Sequence, residues 1–187
     1  LTPKEAQDLW PIMDIEDVHG AAFLPTDGQA NPTDISQALA KGAKNKGAQI
    51  LEETRVTKII LDNGIIKGVE TDKGIINCEK LVCCCGQWSR QFAETVGVNI
   101  PLVSFQHQYM VTEPIEGVAS NLPTLRDPDR LIYFKEEVGG LVMGGYEPNP
   151  ISWAEKSVPE DFHFSLLDSD YDHFELIMNN ALGRVPK

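Results

Sequence analysis

Four histidines, four cysteines and four tyrosines are the residue types in this chain that could carry proton transfer, nucleophilic attack or metal binding. The cysteines stand at 78, 83, 84 and 85. Three in succession within Leu81-Val82-Cys83-Cys84-Cys85 are badly placed for a disulfide framework, which needs Cα atoms at defined separations. They also lack the Cys-x2-Cys or His-x3-His spacing that converges on one ion. They read as small apolar residues of a buried strand and point to a reducing compartment. His163 and His173 lie in acidic stretches and read as exposed bystanders. His19, just before Gly20, reads as a structural loop residue. His107 falls on a predicted strand, with Tyr109 two residues on and therefore on the same strand face. By type alone, that histidine is a hydrogen-bonded core group and that tyrosine a packing residue. No Gly-x-Gly-x-x-Gly follows a strand anywhere, so the chain has no pyrophosphate-cradling loop of its own.

The elements that must position these residues follow from local signals. Thr2-Pro3-Lys4-Glu5 opens a helix with a hydroxyl cap, a first-turn proline and an early acid, and Trp10-Pro11 closes it. Gly20–Leu24 reads as a short strand before the turn Pro25-Thr26-Asp27-Gly28. A second helix starts at Asn31-Pro32, carries Ile35, Ala38, Leu39, Gly42 and Ala43 on one face, and stops at Gly47. From residue 48 the period changes to two. Ala48–Glu52 reads as a strand, and Arg55–Leu61 and Ile65–Thr71 flank Asp62-Asn63-Gly64, a strong hairpin signal. Asp72-Lys73-Gly74 turns into Ile75–Cys78, completing a three-stranded ribbon. Leu81–Cys85 has the continuous apolar pattern of a strand buried on both faces, and Gly86-Gln87-Trp88-Ser89 breaks it into a helix over Arg90–Val96. Val103–Thr112, Leu131–Lys135 and Leu141–Tyr146 read as antiparallel strands, and Asp168–Leu182 as a closing helix with Tyr171, Phe174, Leu176 and Ile177 among its apolar residues. The expected organisation is α+β to α/β, with one unit over 1–100 and a second over 101–187.

Composition removes whole classes. At 187 residues with 42% hydrophobic and 24% charged residues, the chain can bury a core and is neither disordered nor fibrous. Its formal net charge of −12 argues against a nucleic-acid partner or an anionic membrane surface, both of which need clustered Lys and Arg. No apolar run approaches the roughly 18 residues of a membrane span, and the first residues do not form a basic and apolar leader.

Taken in order, several motifs resemble those of the FAD-dependent amine oxidoreductases. The strand ending Cys84-Cys85-Gly86-Gln87-Trp88 looks like that family's small-small-Gly-x-Trp turn beside the flavin, with a Cys pair where Ala-Ala is commoner. Leu24-Pro25-Thr26-Asp27-Gly28, Asn31-Pro32, Ala38–Ala43 and Gly47-Ala48 match in order and spacing. Gln106–Glu113 looks like the active-site strand; Pro123–Asp127, Ile132-Tyr133-Phe134 and Gly144–Pro150 follow. The sarcosine and dimethylglycine dehydrogenase branch fits best, and it includes a flavoprotein-like, non-catalytic regulatory subunit of pyruvate dehydrogenase phosphatase. The resemblance covers essentially the whole chain.

It implies part of an FAD-binding Rossmann-like domain with the three-stranded ribbon, followed by an antiparallel-sheet substrate domain. It also implies an internal fragment: the dinucleotide-binding βαβ unit would precede residue 1 and a last flavin-contacting segment would follow residue 187. A folded fragment would then expose an apolar seam, hold FAD weakly or not at all, and be inactive alone. The implied reaction is oxidation of a small N-methyl amine such as sarcosine or dimethylglycine. A hydride passes to the flavin, and the iminium formed is hydrolysed to formaldehyde or trapped by tetrahydrofolate in members with a further C-terminal domain. The electron acceptor, oxygen or an electron-transfer flavoprotein, is left open. His107 and Tyr133 are carried over as the catalytic pair that accepts or shares the ammonium proton, because the lone pair of a neutral amine drives hydride departure. Val56, Cys85, Gly86, Trp88 and Gly145 are carried over as flavin contacts, and no metal is expected. The implied location is cytoplasmic, or the mitochondrial matrix in a eukaryote.

Overall fold

A computed structural model describes residues 1–186. In chain order its elements are α1 (Pro3–Leu9), α2 (Pro32–Asn45), β1 (Val56–Asp62), β2 (Ile65–Thr71), β3 (Gly74–Asn77), a 3₁₀ turn (Gly86–Trp88), α3 (Ser89–Glu94), β4 (Ser104–Phe105), β5 (Tyr109–Val111), β6 (Leu125–Asp127), β7 (Ile132–Glu137), β8 (Gly140–Gly145), β9 (Ser152–Trp153) and α4 (Tyr171–Arg184). They form two compact units, one of Leu1–Ala30, Gln106–Ile151 and Leu166–Lys187, the other of Asn31–Phe105 and Ser152–Ser165. A single division near residue 100 therefore misplaces Leu1–Ala30 and Ser152–Ser165. The first of these joins the later residues through contacts distant in sequence: the Trp10 indole N–H donates to the Pro123 carbonyl (2.7 Å), and the Asp14 N–H to the Arg184 carbonyl (2.8 Å).

The first unit is built on an antiparallel sheet in the order β5-β8-β7-β6. Strand side chains alternate faces, so Ile132 and Phe134 of β7 and Leu141 and Met143 of β8 form one buried layer. Phe174, Ile177 and Ala181 of α4 join them, with Trp10, Ile12, Met13 and Leu122 completing the core. The N-cap of α4 is Asp170, whose side chain accepts from the His173 N–H. Tyr171 and Leu176, expected among its apolar residues, are exposed, because the helix packs along the Phe174–Ile177–Ala181 line. At its far end Arg184, 5% exposed, spans Asp127, Asp17 and the Asp14 carbonyl.

In the second unit β1, β2 and β3 pair antiparallel as the ribbon anticipated from sequence. Asn63 (φ 50°) and Gly64 (φ 79°) supply the left-handed pair that a primed turn requires. The helix after Trp88 is fastened by its own side chains. Gln91 donates to the Val158 carbonyl and accepts from the Val158 N–H, while Arg90 donates to the carbonyls of Leu102, Glu155 and Lys156.

Three expected strands do not form. Leu81–Cys85 is an exposed, unpaired segment, with Val82 80% accessible, instead of a strand buried on both faces; an apolar run becomes a strand only where neighbours offer a hydrogen-bonding edge, and none flanks it among the described residues. Ala48–Glu52 and Gly20–Leu24 are likewise exposed and irregular. The long strand expected over Val103–Thr112 is two short ones, β4 and β5, broken at Gln106–Gln108. No described helix is long and apolar enough to cross a membrane.

Helix α2 forms where expected, yet none of its residues is buried; Leu39 is 71% accessible and Ile35 lies beside it on the same face. The chain is therefore expected to enhance 8-anilinonaphthalene-1-sulfonate fluorescence in its native state. Leu39→Lys should reduce that signal with stability unchanged within about 0.5 kcal/mol, as for an ordinary surface change. Native protein that leaves the dye dark would contradict this surface.

Candidate functional site

On the sheet face away from α4, the register aligns Tyr109 of β5, Gly144 of β8 and Tyr133 of β7 across three strands. The glycine makes that row possible. A Cβ at position 144 would run into the hydroxyl and ring of Tyr133, so only Gly lets the phenol lie across the middle strand. Tyr146, just beyond β8, meets the Tyr133 ring edge-on with centroids 6.0 Å apart. His107 comes from the break between β4 and β5. Its segment is held by the Gln106 N–H donating to the Ile151 carbonyl (2.9 Å) and the Asp170 N–H donating to Gln108 (2.8 Å). The imidazole lies nearly parallel to the Tyr133 ring, at 21° and 6.4 Å. Its Nε2 is 3.5 Å from the Tyr133 hydroxyl, the outer edge of hydrogen bonding. Its Nδ1 is 3.0 Å from Oε2 of Glu147.

The structure thus brings together both residues of the expected catalytic pair and adds Glu147, Tyr146 and Tyr109. Burial holds the Tyr133 phenol above the ordinary tyrosine range, and repulsion from Tyr146 once ionised, the Glu147 carboxylate and Tyr109 once ionised adds to the same effect. Its neutral form is favoured in the fold, so this contribution to stability is complete below the unfolded tyrosine value and declines as pH rises toward the folded one. In alkaline ultraviolet titration one phenol should ionise late, and Tyr133→Phe should delete that step. A late step that survives the substitution would assign it to another tyrosine. Glu147 was absent from the expected site because it stands 40 residues from His107 and meets it only through the β5–β8 register.

The other expected cofactor contacts divide by unit. In the second unit Val56 starts β1 beside a register shift against Thr71 and is exposed, as is Cys85. Gly86 has φ 55°, a conformation that calls for glycine, and a Cβ there would meet nothing within 4 Å. Partial desolvation of the sulfur, although the residue is exposed overall, and the neighbouring Cys83 push the Cys85 thiol up, whereas the Cys85 N–H holds the Cys83 thiol down. The Trp88 indole N–H is already committed to the Pro159 carbonyl at 3.0 Å. In the first unit Gly145 is placed by packing: a Cβ would come within 2.5 Å of both Ile177 Cδ1 and the Leu131 carbonyl oxygen.

The family model for FAD dependent oxidoreductases (DAO) matches residues 1–187. The chain belongs to that family. Its sequence is 39% identical to human sarcosine dehydrogenase and 36% identical to the mouse pyruvate dehydrogenase phosphatase regulatory subunit, in each case over the whole chain. It spans about a fifth of the length of those relatives, 20% and 21%. The crystal structure of L-proline dehydrogenase from P. horikoshii superposes with a TM-score of 0.82 at 28% identity, covering all of this chain and 47% of that one.

The residues expected to contact FAD differ in whether their surroundings leave room for it. Val56, Cys85 and Gly86 present open surface, and the backbone at Gly86 leaves unfilled space where a flat ring system could lie close. Trp88 would contribute its ring, since its N–H is engaged. Gly145 is explained without a ligand. Gly145→Ala should destabilise the chain by about 1–3 kcal/mol through overpacking against Ile177, read by denaturant melting with no flavin present. A melt identical to wild type would remove the packing explanation and favour a role in cofactor approach.

Proposed function

We propose that the protein containing this chain is an FAD-dependent amine oxidoreductase acting on a small N-methyl amine such as sarcosine or dimethylglycine. The unit holding Val56, Cys85, Gly86 and Trp88 contributes cofactor contacts, and the four-stranded sheet contributes the substrate surface. The observation that carries this reading is the His107–Tyr133 pair on an open sheet face, with the Glu147 carboxylate against the far ring nitrogen. Bound FAD would supply the hydride acceptor. The chain's own groups do the rest. Neutral Tyr133 can donate to or accept from an amine nitrogen, and the imidazole behind it can take the ammonium proton, leaving the lone pair free to drive C–H cleavage. The tyrosine row gives an N-methylated cation flat, electron-rich faces to rest on before it loses that proton. The 39% identity to sarcosine dehydrogenase over the whole chain supports this substrate class, and the mitochondrial relatives support the matrix as the site of action in a eukaryote.

A second reading has its own support: the 36% match, again over the whole of this chain, to a phosphatase regulatory subunit. In that case the site would be retained without turnover. The two separate in one experiment. Anaerobic addition of sarcosine, then dimethylglycine, to the flavin-loaded full-length protein that contains this chain should bleach the visible flavin band. Bound flavin that neither amine reduces would favour the regulatory reading, and failure of the full-length protein to bind flavin would overturn both.

A further inference from the structure

The Glu147 side chain is only 6% exposed, whereas that of its partner His107 is 46% exposed. A carboxylate removed from water to this degree has to be paired, and among the described residues its hydrogen-bond partner is the His107 ring. We infer that Glu147 is a positioning residue: it holds the proton of neutral His107 on Nδ1 and so turns Nε2, with its lone pair, toward Tyr133. Among the described residues the hydrogen bond of Glu147 goes to the far ring nitrogen of His107, so it acts through the ring.

The argument rests on what each group can do. An ionised carboxylate accepts and does not donate, so the 3.0 Å contact requires the proton to be on Nδ1. A neutral imidazole with its proton there has an acceptor at Nε2, the atom 3.5 Å from the Tyr133 hydroxyl. The directions then agree along the chain: Tyr133 O–H donates to Nε2, and Nδ1–H donates to Glu147. When a proton arrives at Nε2, the carboxylate faces the positive charge that forms, and no group has to rotate. With the proton on Nε2 instead, the nitrogen facing Tyr133 would be a donor and could not serve as base. That functional consequence rests on the amine-oxidase reading; the tautomer itself does not.

The test is the ring protonation pattern, read by long-range proton–nitrogen NMR on the 187-residue protein labelled at histidine. Only His19, His107, His163 and His173 contribute, and His107→Gln assigns the signal of interest. Wild type should show a pyrrole-type Nδ1 and a pyridine-type Nε2 once pH has been raised until the ring is neutral. Glu147→Gln, which keeps an acceptor oxygen, should preserve that pattern, and Glu147→Ala should abolish the preference. An Nε2–H tautomer in wild type, or an unchanged pattern in Glu147→Ala, overturns the inference. Should Glu147→Ala fail to fold, the wild-type pattern alone decides. In the flavin-loaded full-length protein, Glu147→Ala should slow amine-driven flavin reduction by up to about 10⁴, the scale of losing the carboxylate that sets a catalytic histidine's tautomer, with little change in KM, and Glu147→Gln should recover much of it. Flavin that no N-methyl amine reduces, beside an Nδ1–H tautomer, would sink the proposed function and leave the positioning role standing.

Discussion

His107→Gln is expected to slow amine-driven flavin reduction by about 10² to 10⁴, the usual contribution of a positioned general base. The glutamine is chosen on structural grounds. Its side-chain amide can still donate to Glu147, so the buried carboxylate keeps a partner, but it has no basic nitrogen to offer Tyr133. His107 is half exposed and lies outside the strands, so the fold should be indifferent to the change within about 0.5 kcal/mol. His107→Ala is a less clean variant because it strands Glu147 without a donor, which costs about 1–3 kcal/mol. Stopped-flow reduction under anaerobic conditions separates chemistry from binding. The rate at saturating amine should fall while the concentration giving half-saturation moves little, since the loss is in proton transfer rather than in substrate contact. A His107→Gln protein reduced at the wild-type rate would remove His107 from the catalytic pair and leave Tyr133 as the sole candidate.

How much of this site could be read from sequence depends on the range of the information needed. The Asn63-Gly64 turn encodes its own register, because its two left-handed residues fix how the flanking strands meet. The alternation in Ile132-Tyr133-Phe134 likewise shows that Tyr133 faces away from the core. Neither signal says which strand lies next to which. The Tyr109–Gly144–Tyr133 row and the Glu147 contact exist only through the order β5-β8-β7, which alternation leaves undetermined. Leu81–Cys85 fails for the converse reason: its composition reports a preference for burial, but strand geometry needs a partner edge. Gly145 shows a third limit. A glycine demanded by a methyl-sized gap against Ile177 and one demanded by a ligand look the same in a sequence.

The largest stability effect is expected at Arg184, far from the chemistry but behind the sheet that carries it. The guanidinium is 5% exposed and uses its fork fully: Nε and Nη2 reach Oδ2 of Asp127 at 2.9 Å, while Nη1 reaches Oδ1 of Asp17 at 2.9 Å and the Asp14 carbonyl. Asp127 is itself nearly buried, and its second oxygen accepts the Arg130 N–H. Arg184→Met would keep the aliphatic stem and leave the nearly buried Asp127 carboxylate with only the looser Arg130 guanidinium, 4.0 Å away, as counter-charge. Breaking a buried pair from one side costs about 3–5 kcal/mol, which at this chain length lowers Tm by about 6–20 °C. Replacing both partners, as Arg184→Met with Asp127→Leu, should recover most of that loss, because the cost lies in the orphaned charge more than in the missing attraction. The acid limb of stability should respond as well. Asp17 is held below the ordinary aspartate value chiefly by its hydrogen bond to Arg130, with Arg184 contributing and burial opposing. Its contribution is therefore present above the unfolded aspartate value and lost as pH falls through the lower folded one. In Arg184→Met that loss should shrink without vanishing, since Arg130 remains. Because α4 supports the sheet through Phe174 and Ile177, any effect on Tyr133 must pass through unfolding: well below the new Tm, flavin reduction should proceed at the wild-type rate. A slowed rate in folded Arg184→Met protein would show that the helix transmits strain across the sheet to the site.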